Sequence, residues 1–143
     1  MQTDQPILSE RVFSSDYGNN AIPEGKNMLV KYITSLWIIQ QCRNRWRNEY
    51  DNNLSWDEIV QASVQAGPSK TFIDVDNPLF GLPQADMPKV IQDDCQQRGQ
   101  LVPESMGEIA RCFYESLTLK FRYNLELLEE IIGHRLELLH IVG

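Results

Sequence analysis

The stretch "SMGEIARCFYESLTLKFRYNLELLEEIIG", residues 105–133, constrains the fold more than any other part of the chain. Ser105 followed three residues later by Glu108 is a capping box, the pattern that starts a helix by satisfying its first free amides. From there Ile109, Cys112, Phe113, Leu117, Phe121, Leu125, Leu128 and Ile132 recur at helical spacing, and Gly133 is placed to end the run. A helix this long and this amphipathic must bury one face, so the remaining residues have to supply what covers it.

They supply mostly more helix. "MLVKYITSLWIIQQCRNRW" predicts an amphipathic helix beginning near Met28, with Leu29, Ile33, Leu36, Trp37 and Gln40 at helical spacing. "SWDE" at Ser55–Glu58 is a second capping box, opening a helix that carries Ile59, Val60 and Val64 and stops at Gly67-Pro68. "DMPKVIQDDCQQRG" reads as a helix capped near Asp86 and closed by Gly99, with Pro88 tolerable in its first turn. Strand signals are fewer. "TFIDVD", Thr71–Asp76, alternates and lies between prolines; "LELLHIV" looks like a buried strand; "PILSERVFSSDYGNNAIPEG" suggests a strand or hairpin with turns at "YGNN" and "PEG". The whole is an α/β assembly, helix-rich with a few strands.

At 143 residues and 42% hydrophobic, one domain or part of a larger one is the natural size. The net charge of −7 argues against a general nucleic-acid binder, whose surface is normally basic. The apolar runs are too short to cross a membrane, and "MQTDQPILSE" has no secretory pattern. The expectation is a cytoplasmic protein with no nucleic-acid or membrane partner. Cys42, Cys95 and Cys112 lack zinc-type spacing and read as buried thiols.

Few residues announce chemistry. Walker loop, GxGxxG, HExxH and nucleophile elbow are all missing from the sequence. His134 follows Gly133 at a helix end, where capping or solvent exposure is its natural role. His140 falls in the "LELLHIV" run, where a lone histidine is more often a hydrogen-bonded core residue than a catalyst. "CRNRWRNEY" brings Arg43, Arg45 and Arg47 together, either as a phosphate patch or as a solvated helix end whose cations suit the dipole. Asp74 and Asp76, on one face of the expected strand, suit a divalent cation or an ordinary solvent-facing edge.

Several of these stretches together resemble one family. "LVKYITSLWIIQQCRNRW" is similar to the helix that in rhamnulokinases reads like LKNIMGLWLLQECRRxW. "FIDVDNPLFGLPQADMPKVIQDDCQQRGQLVPESMGEIARCFYESLTLKFRYNLELLEEIIG" resembles their FIDPDDP…RCxxESLALKYR stretch, and the closing "HIVG" is similar to the start of their HIVGGGSQN. The matches run in family order from about Leu29 to Gly143. On these motifs the chain is identified as a rhamnulokinase-like member of the FGGY carbohydrate kinases.

That resemblance implies a partial actin-like or ribonuclease-H-like ATPase lobe over residues 1–143. It implies ATP and Mg²⁺ as cofactors of the parent kinase, and a sugar as its other partner. It implies phosphoryl transfer to the 1-hydroxyl of L-rhamnulose or a related ketose, a reaction in which protein groups mainly position and neutralise charge. Gln40 matches the family glutamine that meets the nucleotide, and Gly143 the first glycine of the loop against which the nucleotide lies. Tyr32 stands where the family has an Asn facing the sugar, and Ser35 replaces a nearby glycine. Arg111, Cys112 and Glu115 match a run that reads as fold-forming. No catalytic or metal-binding residue is carried over, because the GTWS segment, the first phosphate loop and the Asp base belong upstream of "QPILSE". The chain therefore looks like the middle of a C-terminal lobe, trimmed at both nucleotide loops and inactive by itself, with no cofactor expected. The alternative is a non-catalytic remnant or interaction module derived from a kinase lobe.

Two expectations follow. Cys95 and Cys112 end and begin consecutive helices and should lie close, as an apolar thiol contact or as a disulfide, with Cys42 unpaired. A lobe cut from its sheet neighbours should also self-associate or be marginally stable, because exposed strand edges and apolar surface favour pairing. Light scattering with thermal melting checks this: concentration-dependent mass and melting temperature are expected, whereas a monomer with a sharp, concentration-independent transition at high temperature contradicts it.

Overall fold

The computed structural model describes residues 1–34, 36–50 and 52–140. They belong to two compact units, one formed by Met1–Tyr32 with Arg122–Gly143 and the other by Ile33–Phe121.

The first unit contains β1 (Gln2–Thr3), α1 (Glu10–Ser14), β2 (Gly18–Ile22) and β3 (Lys26–Val30). These strands form an antiparallel sheet in the order β1-β3-β2, with Gly18 opposite Val30 and Ile22 opposite Lys26. The β2–β3 turn is "PEG", in which Glu24 and Gly25 both take positive φ, so this turn stands as expected, but the second strand of the hairpin lies beyond the expected stretch, and residues 10–14 within that stretch are helical. "YGNN" is not a turn; Gly18–Asn20 are ladder residues. Nor does a helix begin near Met28, since Met28 and Leu29 pair with Asn20 and Asn19 across the hairpin. The apolar residues Leu29 and Ile33 suit a helix face and a strand equally over so short a run, and the hairpin partner decides. Val12, Tyr17, Leu29 and Leu127 form the core of this unit. Tyr17 donates its hydroxyl to the Asn124 carbonyl at 2.6 Å, which satisfies the one polar atom of a buried ring. Asn19 does the work of a further strand: its amide accepts from the Ile7 N–H and donates to the Ile7 carbonyl, both at 3.0 Å.

The second unit holds α2 (Trp37–Glu49), α3 (Trp56–Gln65), α4 (Met87–Gln97) and the first part of α5 (Met106–Ile132), the rest of which belongs to the first unit. Local signals explain each start. Ser55 and Glu58 close a complete capping box on α3, Asp86 accepts from the Lys89 amide at the start of α4, and Ser105 and Glu108 exchange hydrogen bonds at the start of α5. Gly99 and Gly133, both at positive φ, follow α4 and α5. The core is Ile38, Ile39, Cys42 and Trp46 of α2, Ile59 of α3, Ile91 and Cys95 of α4, and Ile109, Cys112, Phe113 and Leu117 of α5, closed by Ile73, Val75 and Phe80 from the loops. On α3 the expected face is only partly right: Ile59 is buried, but Val60 and Val64 are exposed, and Ser63 takes the buried position.

Two expected strands are not formed among the described residues. Thr71–Asp76 has no ladder partner among the described residues, although Ile73 and Val75 are buried. Its backbone is satisfied by side chains instead. The Gln100 amide accepts from Phe72 N–H at 2.8 Å and donates to the Phe72 carbonyl at 2.7 Å, and Ser116 Oγ accepts from Ile73 N–H at 3.0 Å. In "LELLHIV", residues Leu136–His140 are irregular, with Leu138 70% exposed, and Leu136 donates its N–H to Glu129 of α5. A leucine-rich run needs a neighbouring strand before it becomes one, and among the described residues none pairs with residues 136–140. Ile141, Val142 and Gly143 lie outside the described residues.

Gly107 allows α3 and α5 to touch. A β-carbon there would sit 2.5 Å from the Ala62 carbonyl oxygen and 2.9 Å from its carbon, backbone atoms of the neighbouring helix. Replacing a helical glycine by alanine ordinarily stabilises by about 0.5–1 kcal/mol. Here Gly107→Ala is expected to destabilise by about 1–3 kcal/mol, because the helices must separate. Urea unfolding measures the sign directly.

Candidate functional site

The densest polar arrangement in the second unit gathers Asp74, Asp76, Lys120 and Thr34. The Lys120 ammonium lies 3.0 Å from Asp74 Oδ1 and 3.0 Å from Asp76 Oδ2. Asp76 Oδ1 accepts from Thr34 N–H at 2.9 Å, forty-two residues away in sequence. Asp74 Oδ1 also accepts from Asp76 N–H at 3.1 Å. Burial alone would raise the pKa of Asp74, but the Lys120 hydrogen bond and the Asp76 amide outweigh it, so the carboxyl is held below its ordinary value. For Lys120, burial would lower the pKa and the two carboxylates reverse this, so its charge is strengthened. The two aspartates that suited a cation thus converge on an internal one. Among the described residues no group of three or more His, Cys, Asp and Glu side chains is arranged to hold a metal ion.

The arginines of α2 are likewise committed to the fold. Arg43 donates to the Leu54 carbonyl at 3.0 Å and lies over the Trp56 ring, 4.8 Å from its centre. Arg45 bonds Asp86, the cap of α4, at 3.0 Å, and Arg47 donates to the Asn52 carbonyl at 2.7 Å. Neither reading of "CRNRWRNEY" holds as stated: the guanidinium groups are neither gathered as a patch nor simply solvated, since Arg43 and Arg47 fasten backbone carbonyls and Arg45 pairs with the Asp86 carboxylate. His134 places Nδ1 3.2 Å from the Ile132 carbonyl at the exposed end of α5, as expected. His140 is exposed and irregular rather than a core strand residue, because the strand expected to bury it is not formed.

Gln40 lies on the exposed face of α2, one residue beyond the buried pair Ile38 and Ile39. Tyr32, in the first unit, is 84% exposed. Ser35 and Gly143 lie outside the described residues. A shallow cleft of about 240 Å³ opens beside the start of α5, lined in part by Lys70, Thr71, Glu104, Glu108 and Arg111. Glu108 already accepts from the Glu104 and Ser105 amides there, each at 2.9 Å, so this helix end is satisfied internally.

Comparison with known proteins adds what geometry does not. The profile of the C-terminal domain of the FGGY family of carbohydrate kinases matches residues 1–143. The chain belongs to the FGGY family. Its relatives include a protein named rhamnulokinase from Bacteroides thetaiotaomicron, 32% identical over 143 residues, which are 100% of this chain and 28% of that protein. A rhamnulokinase from Enterococcus faecalis is 30% identical over 145 residues, covering 100% of this chain and 28% of the relative. One from Klebsiella pneumoniae is 33% identical over 139 residues, covering 96% and 27%. The chain thus spans little more than a quarter of the length of these relatives. Among the described residues no helix is long and apolar enough to cross a membrane.

Within this FGGY domain the "RCFYES" run is structural. Arg111 and Glu115 pair one turn apart on α5, and Ser116 Oγ donates to the Cys112 carbonyl at 2.6 Å while holding Ile73. Sequence reasoning missed Gln100, Ser116 and Lys120. A glutamine after a helix-ending glycine and a serine and lysine four residues apart carry no signal until the segment they grip is known. All three cysteines are free and buried, and Cys95 and Cys112 belong to the same core cluster, near enough for the Cys95 thiol to act on Cys112, so they are neighbours without a disulfide. Burial raises the pKa of Cys112, with the Cys95 thiol adding to the effect. Burial also raises that of Cys42, reinforced by the negative charge of Asp86.

These shifts set a pH dependence. Thiol pKa values raised above the unfolded value of about 8.5 mean that the unfolded chain loses its protons first. The stabilisation is fully present below about pH 8.5 and is lost as pH rises beyond it. The urea midpoint is expected to fall between about pH 8 and pH 9.5, less steeply in Cys42→Ala. Iodoacetamide at pH 8 should leave the folded chain unlabelled and alkylate all three thiols in urea.

Proposed function

We propose that this chain is part of an ATP-dependent sugar kinase that transfers a phosphoryl group to the 1-hydroxyl of L-rhamnulose or a related ketose. The observation that carries the reading is the match of the FGGY C-terminal domain to every residue from 1 to 143, together with relatives named rhamnulokinase at 30–33% identity. In this reading the domain is an actin-like ATPase lobe of a cytoplasmic enzyme, and ATP with Mg²⁺ and the sugar are the partners of the whole kinase. The exposed Gln40 is the nucleotide contact, its carboxamide able both to donate and to accept. Gly143 opens the nucleotide loop. Tyr32 occupies the sugar-facing position; its exposure supports a place at a ligand surface, and its bulk supports a ketose preference altered from that of an Asn-bearing relative.

The chain by itself supplies no aligned base and no complete phosphate loop, and positioning is nearly all that such a catalyst contributes. Isolated, it is a partial lobe that binds no cofactor productively and can self-associate. Tyr32 also favours the second reading, a non-catalytic module derived from a kinase lobe. A coupled ADP-release assay with L-rhamnulose and L-fuculose is expected to show no sugar-dependent turnover by the 143-residue chain. Turnover that co-purifies with it would overturn the partial-lobe reading. The flanking genomic sequence separates the two functions: a GGGSQN-like stretch downstream and an Asp-bearing lobe upstream restore the kinase, and in-frame stops at both places leave the module.

A further inference from the structure

We propose that the uncharged later turns of α3, with the cleft they lead into, are the surface on which a second copy of this chain docks. Three observations carry it. First, residues 59–69, "IVQASVQAGPS", hold no charged side chain in a chain of net charge −7. Within that run Val60 and Val64 lie one turn apart on α3 and are 46% and 63% exposed. Second, the run continues into a recess. The Gly67 N–H donates to the Val64 carbonyl at 3.1 Å, and Ala66, Gly67 and Pro68 line the cleft together with Leu101, Val102 and Pro103. Leu101 is 63% exposed, so this surface holds both a hollow and an apolar side chain at its rim. Third, the charges that line the cleft balance, Lys70 and Arg111 against Glu104 and Glu108. Arg111 pairs with Glu115, and Glu108 accepts the Glu104 and Ser105 amides, which leaves exposed Lys70 and Glu104 at the rim, one of each sign.

The charge pattern selects the occupant. A two-fold contact sets a patch against itself, so any net charge in the patch repels its own image. Two chains of charge −7 oppose each other over most of their surface. The later turns of α3 face their own image without that cost, and Lys70 of one copy meets Glu104 of the other with opposite sign. Leu101 of each copy then fills the other's cleft. This surface lies in the second unit and needs no strand edge, and it goes beyond the kinase reading without resting on it.

Light scattering over a concentration series of the 143-residue chain tests this. The mass is expected to rise toward that of two chains. Val64→Asp and Leu101→Asp, both at exposed positions outside the core, should each weaken the dimer roughly tenfold or more. Leu82→Asp adds the same charge at a leucine that is also exposed, and should leave the dimer unchanged. Lys70→Glu should weaken it, and Lys70→Glu combined with Glu104→Lys should recover it, a rescue that a mere loss of folding stability does not give. A monomer at every concentration overturns the proposal, as does a dimer indifferent to Val64→Asp and Leu101→Asp. So does a dimer lost in Leu138→Asp alone, which would move the contact to the C-terminal segment. No nucleotide or sugar enters the measurement, so its failure is distinct from failure of the kinase reading, which the turnover assay and flanking sequence decide.

Discussion

The second unit depends on how a segment outside helix and sheet can be buried. Thr71–Asp76, irregular as far as Asp74 and then a turn, places Ile73 and Val75 in the core, yet a backbone outside helix and sheet carries amides and carbonyls that must be paired once water is excluded. The carboxamide of Gln100 meets both polar groups of Phe72, and the Ser116 hydroxyl meets the Ile73 amide. Gln100 follows the turn after α4 and Ser116 lies in α5, so satisfying this short segment also fixes the separation of those two helices. An unpaired buried amide costs about 1–3 kcal/mol, a large share of the stability of a small unit. The first unit uses the same device, with Asn19 in the part of Gln100 and Ile7 in the part of Phe72.

The charges that drew attention in the sequence are committed to other parts of the fold. Arg43, Arg45 and Arg47 fasten loops to α2, and Lys120 joins two carboxylates rather than facing solvent. An arginine suits this work because its planar donors reach a carbonyl or carboxylate while its stem covers apolar surface. The consequence for function is one of scarcity. The charged clusters that look chemical in the sequence are spent on architecture, and the two residues that only the family resemblance relates to ligands, Gln40 and Tyr32, are uncharged and exposed. A kinase lobe that orients a nucleotide needs few of its own charges if its backbone loops and a metal ion supply the rest.

Membership of the FGGY carbohydrate kinases was legible in the order of motifs from Leu29 to Gly143, and the family profile agrees over the whole chain. The chain corresponds to little more than a quarter of the length of the relatives it matches. What the matched part offers is a frame: α2, which carries Gln40, set by the core beneath it.

Helices α3, α4 and α5 were determined by sequence alone, because their caps and stops are local: Ser55 with Glu58, Asp86, Ser105 with Glu108, and the glycines at 99 and 133. A local hydrogen bond between residues three apart needs no tertiary partner. The strands were not legible in this way. "TFIDVD" and "LELLHIV" have strand composition, but a strand exists only where a second backbone offers its polar groups in register, and that second backbone is remote in sequence. For Thr71–Asp76 tertiary structure supplied side chains in its place; for Lys26–Val30, inside an expected helix, it supplied the hairpin. The same dependence on distant partners decided the fate of Asp74 and Asp76. Their spacing was visible from the start, but only the fold could bring Lys120 between them.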